Sequence, residues 1–258
     1  MSRSIITFFT IAGMALAALL PSALPSQAEP RFDDAEREEI GEIIRDYLLE
    51  NPRILEEVIE ALEREQAATE MEAQQQLILE YRDEIFESPD SYVAGNPDGD
   101  VTLVEFFDYN CQYCRRMMPV VAELIEEDPE LRVVLKDWPV LGEGSTEAAR
   151  VATAVRLEFP DQYITYHQHL LSEQGRIDRE RALAAAGEIG LSRDALEDMM
   201  DDPEVNAILR RSGQLGGQLG LRGTPSYVIG DEIVGGAVGK DVLRSAIAEV
   251  REEGCAVC

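Results

Sequence analysis

The chain is predicted to fold as an α/β protein: a small sheet interrupted by a block of helices and preceded by a separate helical segment. Three patterns in its 258 residues lead there. An acidic stretch carries an apolar stripe at helical spacing, an apolar strand-like run ends at a Cys-x-x-Cys pair, and a hairpin followed by a helix closes the chain. The composition, 45% hydrophobic and 29% charged, fits one or two globular domains. A formal net charge of −28 argues against a nucleic-acid surface, because phosphates would be repelled and only two lysines, Lys136 and Lys240, are present.

Residues 1–28 are expected to be a signal peptide. Arg3 supplies the positive start, Ile5 to Leu20 an uncharged apolar run, and Ser26-Gln27-Ala28 a small-x-small cleavage site before Glu29. The competing reading is an uncleaved anchor, since Ile5 to Leu24 approaches the roughly 20 apolar residues that span a bilayer. Pro21 and Pro25 weigh against it, and no Cys follows closely enough for a lipid anchor. Export, expected to the periplasm, places the chain where disulfides persist and a Cys pair can be a redox centre.

Residues 29–87 are expected to form an acidic helical stalk. Positions 33–87 hold 19 acidic and 5 basic residues, against 31 and 16 over 88–258. Ile40, Ile43, Ile44, Tyr47 and Leu48 lie at helical spacing, Asn51-Pro52 breaks the helix, and Ile54, Leu55, Val58, Ile59 and Leu62 resume the stripe. From Glu63 to Gln76 the stripe fades. An apolar stripe on charged helices has to be covered, either by the downstream domain or by another copy of the chain. Self-association is the favoured expectation, with the faded stretch as spacer.

A domain is expected over residues 88–254. It starts with a short strand-like piece at Ser91 and the turn Gly95-Asn-Pro-Asp-Gly99, and Val101 to Tyr109 then reads as a strand that ends directly at Cys111. Arg116 to Glu127 is helical despite Pro119, Leu131 to Lys136 is a second strand, and residues 143–220 are almost wholly helical. Ser226 to Ile229 and Glu232 to Val234 form a hairpin around Gly230-Asp231, and Lys240 to Glu253 is the closing helix. This order suggests a thioredoxin-type core with a helical insertion.

Cys111-Gln-Tyr-Cys114 sits where strand passes to helix, and that position favours redox chemistry. At a helix start, unpaired N–H groups and the helix dipole stabilise a thiolate, and a Cys one turn on can close a disulfide with it. The thiolate can attack a substrate disulfide, and the second Cys resolves the mixed disulfide. Zinc would need four ligands, yet 140 residues lie between Cys114 and Cys255 and the two histidines, His167 and His169, lie in the helical block on different helix faces. A purely structural disulfide would gain little from closing so short a loop. A soft ion such as Cu(I), gripped by the same two sulfurs, is the non-enzymatic alternative; no Met-rich or His-rich tract accompanies them.

Val101-Thr-Leu-Val-Glu-Phe-Phe-Asp-Tyr-Asn-Cys-Gln-Tyr-Cys114, Lys136-Asp-Trp-Pro-Val-Leu-Gly142 and Gly223-Thr-Pro-Ser-Tyr-Val228 together resemble the DsbA family of exported thiol-disulfide oxidoreductases, from about Ser91 to Val250. The acidic segment is similar to the oligomerising N-terminus of its ScsC-like members. The resemblance implies an enzyme working through Cys111 and Cys114 without a cofactor or a metal, on unfolded or misfolded exported proteins, and recycled by a membrane or periplasmic redox partner. It implies that Glu105 is a buried carboxylate paired with the basic Lys136. Alternation independently puts Glu105 on the strand face of Val101, Leu103 and Phe107, where it could move protons to or from Cys114. Thr224-Pro225 matches the loop that carries a cis proline facing the sulfurs and binds substrate backbone, with Gln112 and Tyr113 beside it. Gln112-Tyr113 replaces the Pro-His pair of strongly oxidising members, so a milder oxidant is expected. Thr before the proline and Tyr before Cys114 also resemble disulfide isomerases and reductases, which keeps isomerase activity open.

Cys255-Ala-Val-Cys258, after Gly254, has no helix behind it and no matching family position. For this 255–258 tail a protective disulfide leads over electron relay and metal capture, and no catalytic role is assigned.

Overall fold

The computed structural model describes residues 32–255. The expected signal peptide and Cys258 lie outside them. The chain divides after residue 60 into two compact units.

The first unit holds helix α1 (Asp34–Glu50) and the start of α2 (Arg53–Glu80). Asp33 caps α1 reciprocally: its carboxylate accepts the Glu36 N–H, and the Glu36 carboxylate accepts the Asp33 N–H, each at 2.9 Å. Asn51 ends the helix, and Pro52 cannot continue it. No residue of α1 is buried. The stripe is open to solvent, with Ile43 61% and Ile59 55% exposed.

The second unit continues α2 and adds α3 (Arg82–Phe86), β1 (Tyr92–Gly95), β2 (Val101–Phe107), α4 (Gln112–Glu127) and β3 (Leu131–Asp137). A helical block follows: α5 (Glu143–Glu158), α6 (Tyr163–Ser172), α7 (Arg179–Glu188), α8 (Arg193–Met200) and α9 (Pro203–Gln218). The chain returns through β4 (Ser226–Ile229), β5 (Glu232–Gly235) and α10 (Lys240–Glu253). The sheet runs β1-β3-β2-β4-β5, with β2 and β3 parallel and the other neighbours antiparallel. This is the thioredoxin-type fold with a helical insertion that the element order suggested.

Central β2 is covered on both faces, which is why every residue but Thr102 is buried. On one face Leu103 and Phe107 pack with Leu135, Met117 and Val121 of α4, and apolar residues of α5 to α8 and α10. On the other, Val104 and Phe106 pack with Val134, Trp138, Leu215, Leu219 and Val228. Ile78, Ile85 and Phe86 belong to this second layer and are buried. The apolar side chains at 78, 85 and 86 thus pack the end of α2 and α3 against the sheet. Gly216 lets α9 approach, since a Cβ there would meet the Trp138 ring at 2.6 Å.

Candidate active site

β2 delivers the chain to a tight turn, Asp108 to Asn110, and Cys111 is the N-cap of α4. Asn110 fixes this turn to the loop after α6. Its Oδ1 accepts the Ile177 N–H at 2.7 Å and its Nδ2 donates to the Ile177 carbonyl at 2.8 Å, so the amide imitates a backbone partner. Arg115 adds bonds to the carbonyls of Tyr109 and Gly175.

Cys111 and Cys114 carry free thiols, both in buried residues. Cys111 is held well below the ordinary thiol range, at about 5. The hydrogen bond from Cys114 contributes most, outweighing burial; a Thr224 contact and the backbone N–H groups of Cys114 and Tyr113 at the helix start add to it. Cys114 moves the opposite way, pushed far up by donating to Cys111, by burial and by the nearby Glu105. The two sulfurs are thus chemically distinct, one an accessible-pH thiolate and the other a thiol.

Pro225 follows a cis peptide bond from Thr224. When protonated, the Cys111 thiol donates to the Thr224 carbonyl at 3.1 Å, and the Thr224 hydroxyl is buried with no hydrogen-bond partner among the described residues. Tyr113, 54% exposed, lies under the Arg116 guanidinium, 4.6 Å from its ring centre. A groove beside the sulfurs is lined by Tyr113, Arg222, Thr224, Pro225, Gln74 and Ile233. Gln112 lines a second groove with Met118, Pro119, Leu141 and Leu171.

Glu105 is 4% exposed beneath the pair. Burial raises it to about 7, against the opposing effect of the Tyr227 hydroxyl, which donates to its Oε1 at 3.3 Å. The sequence reading missed Tyr227. It faces Glu105 because β4 pairs antiparallel to β2 with those two residues opposed, a register that a single sequence does not print. The alternation Pro225, Tyr227 was the available signal.

Lys136 does not pair with Glu105. In the parallel β2–β3 ladder Phe106 opposes Lys136 and Glu105 opposes Leu135. Successive side chains take opposite faces, so Lys136 lies on the far face of the sheet. There its Nζ donates to the Glu84 carbonyl and to Ser91 Oγ, each at 2.7 Å. Burial lowers it to about 8. The site thus brings together Cys111, Cys114, Glu105, Tyr113, Thr224 and Pro225, with Gln112 at its rim and Lys136 outside it.

The histidines also separate. His167 is buried and pushed down to about 3 by burial, its Nδ1 3.1 Å from the Tyr109 hydroxyl. His169 pairs with Glu188 at 2.9 Å. Cys255 is disulfide-bonded.

Over residues 102–248 the chain matches the family described as DSBA-like thioredoxin domain, and over residues 36–69 the copper resistance protein ScsC N-terminal domain. A thioredoxin-like oxidoreductase from Silicibacter pomeroyi DSS-3 is 44% identical, covering 66% of this chain and 98% of that one with a TM-score of 0.64. Proteus mirabilis ScsC in a transitional conformation is 30% identical over 86% of this chain and 98% of its own, with a TM-score of 0.64. The thiol:disulfide interchange protein DsbA of Bordetella parapertussis is 26% identical over 148 residues, 54% of this chain and 70% of that protein. With two inequivalent thiols at the head of α4 and a cis-proline loop against the first of them, the chain belongs to the DSBA-like thioredoxin-domain family and is a thiol-disulfide oxidoreductase.

Proposed function

We propose that Cys111 is the attacking and attacked sulfur and Cys114 the resolving one, acting on cysteine-containing protein clients. The observation that carries this is placement: Cys111 is the N-cap of α4 and its sulfur lies 3.1 Å from the Thr224 carbonyl, while Cys114 is buried one turn on above Glu105, and the two thiols are accordingly displaced in opposite directions, Cys111 down and Cys114 up. In the oxidising direction a client thiolate attacks Sγ of Cys111 in the Cys111–Cys114 disulfide. The S–S bond breaks, and Cys114 leaves as a thiolate that takes a proton from Glu105. A second client thiolate then displaces Cys111 Sγ, leaving an oxidised client and the reduced pair. In isomerisation the reduced Cys111 thiolate instead attacks a client disulfide and releases one client thiolate. A different client thiolate then displaces Cys111 Sγ from the mixed disulfide, so the client keeps a rearranged disulfide, Cys111 ends reduced and no net electrons are transferred.

Glu105 is suited to that proton because it titrates at about 7 and acts electrostatically on Cys114. Tyr227 orients it. Thr224 and Pro225 offer the Thr224 carbonyl to an extended client backbone, and Tyr113 and Gln112 form the floor between the grooves. No cofactor is required by this cycle. A Cys111 value of about 5 lies between roughly 7 for weakly oxidising thioredoxins and roughly 3.5 for strongly oxidising relatives. The lowered Cys111 together with Gln112-Tyr113, which places no His beside the sulfur, supports an oxidant milder than the strongly oxidising relatives. The soft-metal alternative would engage the same two sulfurs, and it is separated from this reading by whether the reduced protein loses its two thiols on mixing with a disulfide substrate when no metal is added.

The same reading has the protein exported to the periplasm after cleavage behind Ala28, recycled by a redox partner there, and self-associated through the stripe from Ile40 to Leu62. The catalytic domain is residues 88–254, with about 143–220 as insertion and 255–258 as a tail, and the end of α2 with α3 packs onto it. The expected test is trapping. A Cys114→Ala variant mixed with an oxidised two-cysteine peptide should accumulate a mixed disulfide at Cys111, visible as a mass increase of one peptide. Cys111→Ala should accumulate none, and adduct on Cys114 or Cys255 instead would overturn the assignment.

A further inference from the structure

Asp108 stands one residue beyond β2 and is 2% exposed. Its carboxylate accepts three backbone N–H groups: Asn110 on Oδ1 at 2.8 Å, and Val140 and Leu141 on Oδ2 at 2.9 and 3.0 Å. Its own carbonyl accepts the Cys111 N–H at 3.0 Å. One buried side chain therefore ties the turn that presents Cys111 to the loop 138–142 that follows β3. Among the described residues, Asp108 is the side chain that bonds the Val140 and Leu141 N–H groups. A carboxylate is suited to this, being acceptor-only with two oxygens, whereas an amide would turn an NH2 group toward one of the donors.

What the loop carries is apolar and open. Val140 is 44% and Leu141 53% exposed, two and three positions beyond buried Trp138. Leu141 shares its groove with Gln112, Met118, Pro119 and Leu171. Tyr113, the other residue between the cysteines, lines the Thr224–Pro225 groove instead. The reactive dipeptide thus separates two grooves, and Asp108 fixes the wall of the one remote from Pro225.

We propose that Asp108 is a positioning residue for client selection. By holding Val140 and Leu141 at a fixed offset from the Cys111 turn, it presents an apolar rim to client segments that carry a large apolar side chain beside their cysteine. The inference rests on the reading of Cys111 as the sulfur that exchanges with clients. Asp108 touches neither sulfur with its side chain, so its influence falls on which clients are bound well.

The test compares three disulfide substrates on the reduced full chain: a two-cysteine peptide with Leu flanking the cysteines, the same peptide with Ser, and glutathione disulfide. The wild type is expected to prefer the Leu peptide over the Ser peptide by about tenfold in kcat/KM, through KM, as one apolar side chain in a pocket gives. Asp108→Asn should cut that preference to about twofold by raising KM for the Leu peptide. Leu141→Ser, a change at an exposed position, should cut it equally. The two changes together should do no more than either one, because they act through the same rim. Equal slowing of all three substrates by Asp108→Asn would make the carboxylate merely structural and overturn the proposal. So would a Leu preference that survives Leu141→Ser. If the wild type exchanges with none of the three, it is the role of Cys111 that fails instead.

Discussion

Glu105 shows how a single buried charge links stability to chemistry. Unfolded, its carboxyl ionises near 4.5; in the folded reduced protein burial raises it to about 7. The folded state therefore holds this proton more tightly. Glu105 carries no penalty below pH 4.5, and the penalty grows as pH rises and is complete above pH 7. Glu105→Gln keeps an acceptor for Tyr227 and cannot ionise, so it should stabilise the reduced protein by about 3 kcal/mol at pH 8 and by little at pH 4. Urea unfolding of both proteins at both pH values checks this, and an equal difference at the two would rule it out. The same variant should slow exchange, since no carboxylic acid remains to protonate Cys114. That Glu105 is buried was readable from alternation along Val101 to Phe107. That Tyr227 answers it was not, because hydrogen-bond partners across strands depend on a register that no local pattern specifies.

The same gap recurs between secondary-structure elements. The strand around Glu105 and the strand of Lys136 were each legible, as was the helix beginning after Cys111, because each has its own period and its own break. The offset between two strands has no such local mark: a one-residue shift exchanges the faces of every side chain. Family resemblance paired Glu105 with Lys136, and the ladder instead opposes Phe106 to Lys136. Placed on the far face, with its ammonium on the Glu84 carbonyl and Ser91 Oγ, Lys136 has no path to the sulfurs except through the sheet. Lys136→Met is accordingly expected to leave the Cys111 titration midpoint in place and the exchange rate within about twofold, under half a kcal/mol of barrier. Iodoacetamide alkylation against pH and the peptide exchange assay measure the two quantities. A tenfold slower exchange with an unchanged melting temperature would return Lys136 to the chemistry. Where the acidic segment meets the sheet is likewise unmarked locally: the apolar stripe fades from Glu63 to Gln76, and it is packing that places Ile78 in the layer against the sheet.

On the scale of the whole molecule, charge and apolar surface oppose each other. Residues 33–87 hold a net charge of −14, yet Ile40, Ile43, Ile44, Tyr47, Leu55, Val58, Ile59 and Leu62 are all exposed. Burying such a stripe against another copy is favourable by roughly 25 cal/mol per Å² of apolar area. Bringing two or more strongly acidic segments together is unfavourable, and salt screens that repulsion within roughly 8 Å at physiological ionic strength. Association through the stripe should therefore strengthen as salt is added, the reverse of an interface held by opposite charges. Light scattering of the chain lacking residues 1–28 is expected to give a mass above one copy, with the oligomer favoured at 0.5 M over 0.02 M sodium chloride. Ile43→Glu with Ile59→Glu places charge in the stripe without touching the sheet domain, and should give a single copy at both salt concentrations. That variant should still exchange with small peptides, because the thiols, Glu105 and Thr224 all belong to the other compact unit. Its ability to refold a scrambled multi-disulfide protein then separates the two activities. Loss of refolding with peptide exchange intact would mean that isomerisation needs several Cys111 sites on one assembly; full retention would mean that one site suffices.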